Sequence, residues 1–598
     1  MIFGKNINRY YFKYIHLFLI GIIALLFVDY IQMLLPENYG NLIDAIKNSM
    51  TLRDTGVLPN DGLLLTKELV IRIVSNVILI ALGMFVGRFL WRIAILNLGV
   101  NVETDLRKRM FLQMETLSQD YFYTHKTGAQ MALYTNDLMS INNCFTDGII
   151  MLIDAIFLGG MAVYKMIRLD LVLTIVASIP LLIIGLCGGI IGKTIDKKFD
   201  ARQESYERLS DFTQENFSGI SVIKAFVKEK LELQEFIKNN KEFSKTNISF
   251  TKLIIGMNVF FTALVSSIVV IIVGYGTHLI VTTKGSIDAF TAGDLIMFIS
   301  YFGLLTWPAL ALANLINLIS QGRTSLRRIN ELLEYPVMVK DSDDVIKNVQ
   351  LEGNIEFKNL TFAYPGSQTK VLKDVSFTIH KNEKIGIIGK TGCGKTTIVD
   401  VLTRVYNVDE GMVFIDGIDI MKLPIQKVRQ LIAYVPQDNF LFNTSILENI
   451  AFSRQKMDTI DAIKYATFAS VDDNIQEFPD KYETIIGERG VTLSGGQKQR
   501  ISMARAMAKD AQILILDDSV SAVDTKTEAS ILHTLQEEFR NKTIILIAHR
   551  VSTIESMDKI ILVDDGKIIA CGKHSDLYKT VPMYRDIVDL QKLEDGDE

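Results

Sequence analysis

The chain has 598 residues, 49% of them hydrophobic and 22% charged, with a net charge of −5. The length accommodates several domains, and so much apolar residue beside so much charge fits a protein divided between membrane and cytosol. The net charge gives no overall argument for nucleic-acid binding, and the four scattered cysteines, Cys144, Cys187, Cys393 and Cys571, argue against a disulfide framework or a paired-cysteine zinc site.

At the N-terminus Lys5, Arg9 and Lys13 precede an apolar run with no small-residue cleavage site after it, which reads as a retained first membrane helix. Six stretches are long enough to cross a bilayer, at about 20 residues each. They lie near 15–35, 70–98, 147–167, 169–192, 254–282 and 294–319. Basic residues before the first span and after the second, fourth and sixth place both chain ends on the cytoplasmic side of the cell membrane. The cytoplasmic connections, 99–146 and 193–253, are charged, helix-favouring and almost free of proline. They read as helices continuing the spans, with less regular tips near 120–128 and 215–224 that are placed to touch a cytosolic domain. Within the spans, Asp29, Arg88, Arg92 and Asp154 have two readings, structural pairing or contact with a substrate or cation. By helical rise, Asp154 is the better placed of the two acids to pair with Arg88 or Arg92. Trp307-Pro308 is expected to kink the sixth span.

Residues 335–350 have no apolar period and read as a linker between a transmembrane domain (1–334) and a second domain (351–598). From about 353 short strands appear, followed by alternating helices and strands. The fold class is therefore an all-α six-helix transmembrane domain followed by an α/β P-loop domain with an antiparallel β layer.

The strand Lys384–Ile388 runs into Gly389-Lys390-Thr391-Gly392-Cys393-Gly394-Lys395-Thr396-Thr397, and a helix follows. Glycines at a strand-to-helix turn let backbone N–H groups converge on a phosphate, assisted by the helix N-terminus. Lys395 can reach the β- and γ-phosphates and Thr396 can ligate Mg²⁺. The strand Ile513–Leu516 ends in Asp517, placed to hold Mg²⁺, and Asp518, placed as a water-activating base. Gln437 follows another strand and offers an amide to Mg²⁺ or water, and His549 ends a further strand within reach of a γ-phosphate. Ser494, Gly495, Gly496 and Gln497 begin a helix, with Ser494 as N-cap. That helix end is a second anion site, and one nucleotide rarely needs two from one chain.

Together these residues closely resemble the ATP-binding cassette family. Gly389–Thr397 matches its Walker A loop, Leu493–Gln497 its signature, and Leu514–Asp517 its Walker B strand. Gln437 matches the Q-loop, Ser521–Asp524 the D-loop and His549 the switch histidine. Tyr364 matches the aromatic residue that stacks on adenine, and Gly487–Gly490 looks like the segment with which exporters sense their membrane helices. Six spans and one C-terminal cassette resemble an exporter half-transporter. The resemblance implies ATP and Mg²⁺ as ligands and an ATPase coupled to transport. It also implies a second half-transporter in the lipid bilayer, each ATP lying between one chain's Walker motifs and the other's signature. The tips near 120–128 and 215–224 then match the coupling helices.

One position departs from the pattern: the family's catalytic glutamate is Asp518 here. Aspartate is one methylene shorter, and misplacing a base by about 1 Å can cost roughly 10²-fold. A weak base beside an intact signature resembles one half of the heterodimeric bacterial multidrug exporters, moving amphipathic drugs or lipids. The alternatives are a homodimeric exporter with slow turnover, and an ATP-gated channel or regulatory subunit.

Overall fold

The computed structural model describes residues 4–55, 64–283, 289–454, 456–487, 493–520 and 523–594, without the side chains of 55, 181–193, 313 and 594. By contact the chain divides into two compact units, Met1–Phe111 with Met131–Leu333, and Leu112–Gln130 with Glu334–Glu598.

The first unit is helical. Among the described residues five helical runs are long and apolar enough to cross a membrane: Ile15–Asp54, Lys67–Thr116, Thr127–Leu169, Glu229–Thr282 and Ala292–Leu333. Helices are the form such segments must take, because hydrocarbon offers backbone N–H and C=O groups no other partner. The expected fourth span falls in the helix Leu171–Ser218, whose N-cap Asp170 accepts from the Leu173 amide at 2.6 Å. The side chains of that span's second half, 181–192, lie outside the described residues. Several helices far exceed a bilayer. Glu229–Thr282 has 54 residues, about 80 Å of helix against about 30 Å of hydrocarbon. The connections thus continue the spans as helices, as their composition requires.

The expected pairing of Asp154 with an arginine is not what the structure holds. Asp154 accepts a hydrogen bond from the Trp307 indole at 2.6 Å. Among the described residues, neither Arg88 nor Arg92 forms an ion pair with Asp154 or Asp29. The physical reason is placement: both acids are buried, whereas both arginines are exposed in the single chain. Pro308 lies inside the helix Ala292–Leu333. Its ring packs where Gly159 leaves room, since a Cβ there would stand 3.1 Å from Pro308 Cβ.

The second unit contains two sheets. The smaller is antiparallel, ordered β2-β1-β4-β5, from β1 (Ile355–Phe362), β2 (Leu372–Ile379), β4 (Val413–Ile415) and β5 (Ile418–Asp419). The larger is built from β3 (Lys384–Gly389), β6 (Ile432–Val435), β7 (Ile513–Asp517), β8 (Thr543–Ile547), β9 (Lys559–Asp564) and β10 (Lys567–Gly572). Its order is β10-β9-β3-β8-β7-β6, parallel from β9 to β6, with β10 antiparallel at the edge.

The central strands are apolar throughout because both faces are covered. Successive side chains divide between two cores. Ile385, Ile387, Ile513, Ile515, Ile545 and Ile547 pack with the antiparallel sheet, while Ile388, Leu514, Leu516, Ile544 and Leu546 pack with the helices. Parallel strands held in this register deliver their C-terminal ends, and the loops that follow, to one edge.

Residues 112–130 belong to this second unit. Tyr121, in the short helix Gln119–Thr124, is buried edge-on against Tyr335 at 4.8 Å and stacks on His125 at 4.2 Å. The stretch 335–350 has neither helix nor strand, yet it is pinned. Arg404, 1% exposed, donates to Lys340 O as well as to Ile420 O and Leu423 O. The Asp341 carboxylate accepts from the Ile425 amide, and the Ile346 amide donates to Lys422 O.

Candidate nucleotide site

The loop after β3 curls because Gly392 and Gly394 adopt φ of +79° and +104°, a region that disfavours side chains. Gly389 is required for another reason: a Cβ there would stand 2.1 Å from the Val563 carbonyl oxygen of the neighbouring strand. The helix Lys395–Leu402 follows, with Gly394 at its N-cap. The Lys395 ammonium is buried and donates to Gly389 O at 2.8 Å and Lys390 O at 3.0 Å. It lies folded over the loop, where phosphate oxygens can take the same donors.

Thr396 Oγ1 donates to Asp517 Oδ2 at 2.8 Å, across 121 residues of sequence. These two hard oxygen donors fit Mg²⁺, which takes few protein ligands and completes its shell with phosphate and water. The described residues contain no cluster of three or more His, Cys, Asp or Glu that would favour a protein-caged ion. Asp517 is 2% exposed, and burial pushes its carboxyl above the usual range despite hydrogen bonds from Thr396 and Tyr434. A cation at this position would reverse that shift.

A cavity of about 330 Å³ joins Tyr364, Thr391, Lys395, Gln437, Asp517 and His549, so the structure gathers residues as far as 185 positions apart in sequence. Tyr364 shares a hydrogen bond with Thr397 at 2.8 Å and packs edge-on against Tyr406. Asp518 has φ +48°, a backbone region that aspartate tolerates better than most residues. Its amide donates to Ile547 O at 3.0 Å, and Gln437 Nε2 donates to its Oδ2 at 3.4 Å.

The signature residues stand apart from this cavity. Ser494 and Gln497 form a reciprocal capping box at the start of the helix Gly495–Ala508: the Gln497 amide donates to Ser494 Oγ and the Ser494 amide to Gln497 Oε1. Asp524 caps the next helix through the Thr527 amide. Ser521 and Ala522 of the same loop, and Glu488–Gly490 before the signature, lie outside the described residues.

Three participants were not singled out by sequence. Gln499, buried on the signature helix, donates to Asp518 O at 2.8 Å and ties that helix to the base position. Tyr434, at the end of β6, donates to Asp517 Oδ2 at 3.4 Å. Asp400, one turn beyond Thr396, is pushed up to about 6 by burial and by the Asp517 charge. A glutamine two residues after the signature and polar residues beside a Walker motif were the available signals.

A phosphate loop at the end of a parallel sheet, an adjoining acidic strand and a unit of membrane-length helices define a membrane transporter energised by nucleotide. Residues 18–309 match the family model for the ABC transporter transmembrane region, and residues 372–521 match the ABC transporter model. The chain is 32% identical over 590 residues to the probable multidrug resistance ABC transporter ATP-binding/permease protein YheI of Bacillus subtilis, covering 98% of this chain and 97% of that one. It is 32% identical over 500 residues to an ATP-dependent lipid A-core flippase of Syntrophus aciditrophicus, covering 83% and 82%. A solved bacterial Atm1-family ABC exporter with ATP bound has the same fold, with TM-score 0.74 at 24% identity, covering 97% of this chain and 99% of that one. The chain belongs to the ABC transporter family and is an exporter half-transporter of that family. Membership implies ATP binding, an ATPase coupled to export, and dimeric action in the bilayer.

Proposed function

We propose that this chain is one subunit of a heterodimeric exporter that moves amphipathic drugs or lipids outward, with both chain ends cytoplasmic, and that its own ATP site is weakly hydrolytic. The observation that carries the reading is Asp518 at the base position. Its short carboxylate is held toward Gln437, on a backbone fixed through its own amide and carbonyl. A base drawn back by about 1 Å costs on the order of 10²-fold.

In this reading the loop Gly389–Thr397 grips the phosphates through backbone N–H groups and Lys395, and Tyr364 offers its ring to the adenine. Thr396 and Asp517 hold Mg²⁺, which supplies neutralisation of phosphate charge when bound. Gln437 orients water near Asp518, and His549 contacts the γ-phosphate. Ser494–Gln497 serve the partner's nucleotide. Their separation from the cavity of their own chain supports this division, because an N-capped helix end binds anions only where it meets them. The names of the relatives, a multidrug resistance transporter and a lipid flippase, support the substrate class.

The test is Asp518→Asn in the transporter purified with its partner. ATP turnover should stay within about twofold of wild type, because the partner's base carries it. Turnover falling to background would overturn the weak-site reading.

A further inference from the structure

The transmembrane unit holds a cavity of about 480 Å³ that the nucleotide chemistry does not use. Its polar lining is Asp29, Gln32, Arg88, Trp91, Arg92, Asp154 and Trp307. Asp29 is 3% exposed and Asp154 is 6% exposed. One oxygen of Asp154 takes the Trp307 indole N–H, but its Oδ1 and Asp29 Oδ2 have no hydrogen-bond partner. The Trp91 indole N–H is also buried without an acceptor. Buried carboxylate oxygens without donors are costly and rarely kept without a function.

The backbone around the cavity is built for this opening. Asp154 begins a π-helical turn, Asp154–Leu158, between the α-helices Asp147–Ile153 and Gly159–Leu169. Such turns widen a helix and occur often at functional sites. Gly159, just after the turn, makes room for Pro308, the residue that follows Trp307. Two local irregularities, from distant parts of the sequence, thus meet at the acid–indole contact.

We infer that this cavity binds the transported compound, and that the compound is an amphipathic amine. Its protonated nitrogen lies between Asp29 Oδ2 and Asp154 Oδ1, and a nearby acceptor atom takes the Trp91 N–H. Its apolar body lies against the Trp307 indole, which also attracts a cation through its π face, whereas the Trp91 ring already carries the Arg92 guanidinium 5.5 Å from its centroid. The volume suits a drug-sized ligand. Arg88 and Arg92 line the same cavity but are exposed in the single chain, so water screens them while the two buried carboxylates keep a local attraction for a single cation. The inference rests on the export reading for the direction of movement, and binding does not depend on it.

The test uses the full-length transporter in lipid nanodiscs, without ATP, and two fluorescent probes. Dansylcadaverine carries a protonated amine, a flat apolar body and sulfonyl acceptors, and its N-acetyl derivative lacks the charge. Wild type should bind the amine roughly tenfold more tightly than the acetylated form. Asp29→Asn and Asp154→Asn should each erase most of that difference, while Asp29→Glu, which keeps the charge, should retain it. Equal wild-type affinity for the two probes would overturn the inference, as would a preference that survives Asp29→Asn. ATP-driven uptake of dansylcadaverine into inside-out vesicles is read separately. Amine-selective binding without uptake counts against export and supports the site, and uptake without amine-selective binding overturns the site alone.

Discussion

Asp400 stands one helical turn past Thr396, on the first helix after the phosphate loop. Burial and the nearby Asp517 push its carboxyl up to about 6, against about 3.9 in an unfolded chain. The native state therefore holds this proton more tightly than the unfolded state does. The associated stability is fully present below pH 4 and is lost as pH rises through 6. Asparagine has a similar shape and carries no charge, so Asp400→Asn should remove this loss. Thermal unfolding of the cassette, followed from pH 4 to 8 without nucleotide or Mg²⁺, should show the variant matching wild type most closely near pH 4, gaining on it between about pH 4 and 6, and keeping that lead up to pH 8. Parallel curves across that range would mean that Asp400 is not raised.

The linker shows how an irregular segment becomes a fixed element. Residues 335–350 have no apolar period and form neither helix nor strand, but Arg404 anchors them from within the core. Its guanidinium donates to three carbonyls and to Asn407 Oδ1, a planar fan that an ammonium cannot reproduce. Arg404→Ala leaves the buried Ile420 and Leu423 carbonyls unmet and should cost roughly 2–4 kcal/mol. Denaturant titration of the transporter should show the loss in the cassette transition, and Arg404→Lys should recover little of it. This anchor could not be read from sequence, because nothing local distinguishes an arginine that donates inward from one on the surface. The same limit hid Tyr434, Gln499 and the contact of Asp154 with Trp307, which joins positions 153 residues apart. What sequence did show was local: glycine spacing at the phosphate loop, apolar runs long enough for strands and spans, and Ser494 as the N-cap of the signature helix. An arginine was expected beside Asp154 because charge complementarity was visible and the approach of an indole was not.

At the scale of the whole transporter, the separation of Ser494–Gln497 from the chain's own phosphate loop gives the proposed asymmetry a direct consequence. If this chain's signature completes the partner's working site, damage there should outweigh damage to Asp518. Gly496 is in the first turn of the helix Gly495–Ala508. An aspartate there suits the helix dipole and should not weaken folding, yet it places a negative charge where a phosphate must approach. Gly496→Asp should thus lower ATP turnover of the assembled transporter by about 10²-fold or more, the scale of losing one well-placed transition-state contact. Asp518→Asn should leave it within about twofold. Thermal unfolding of both variants near wild type would show that the difference is one of function. The reverse order, with turnover destroyed by Asp518→Asn and spared by Gly496→Asp, would place hydrolysis in this chain's own site. Equal and severe losses would instead fit two identical chains, each supplying a base to one site and a signature to the other.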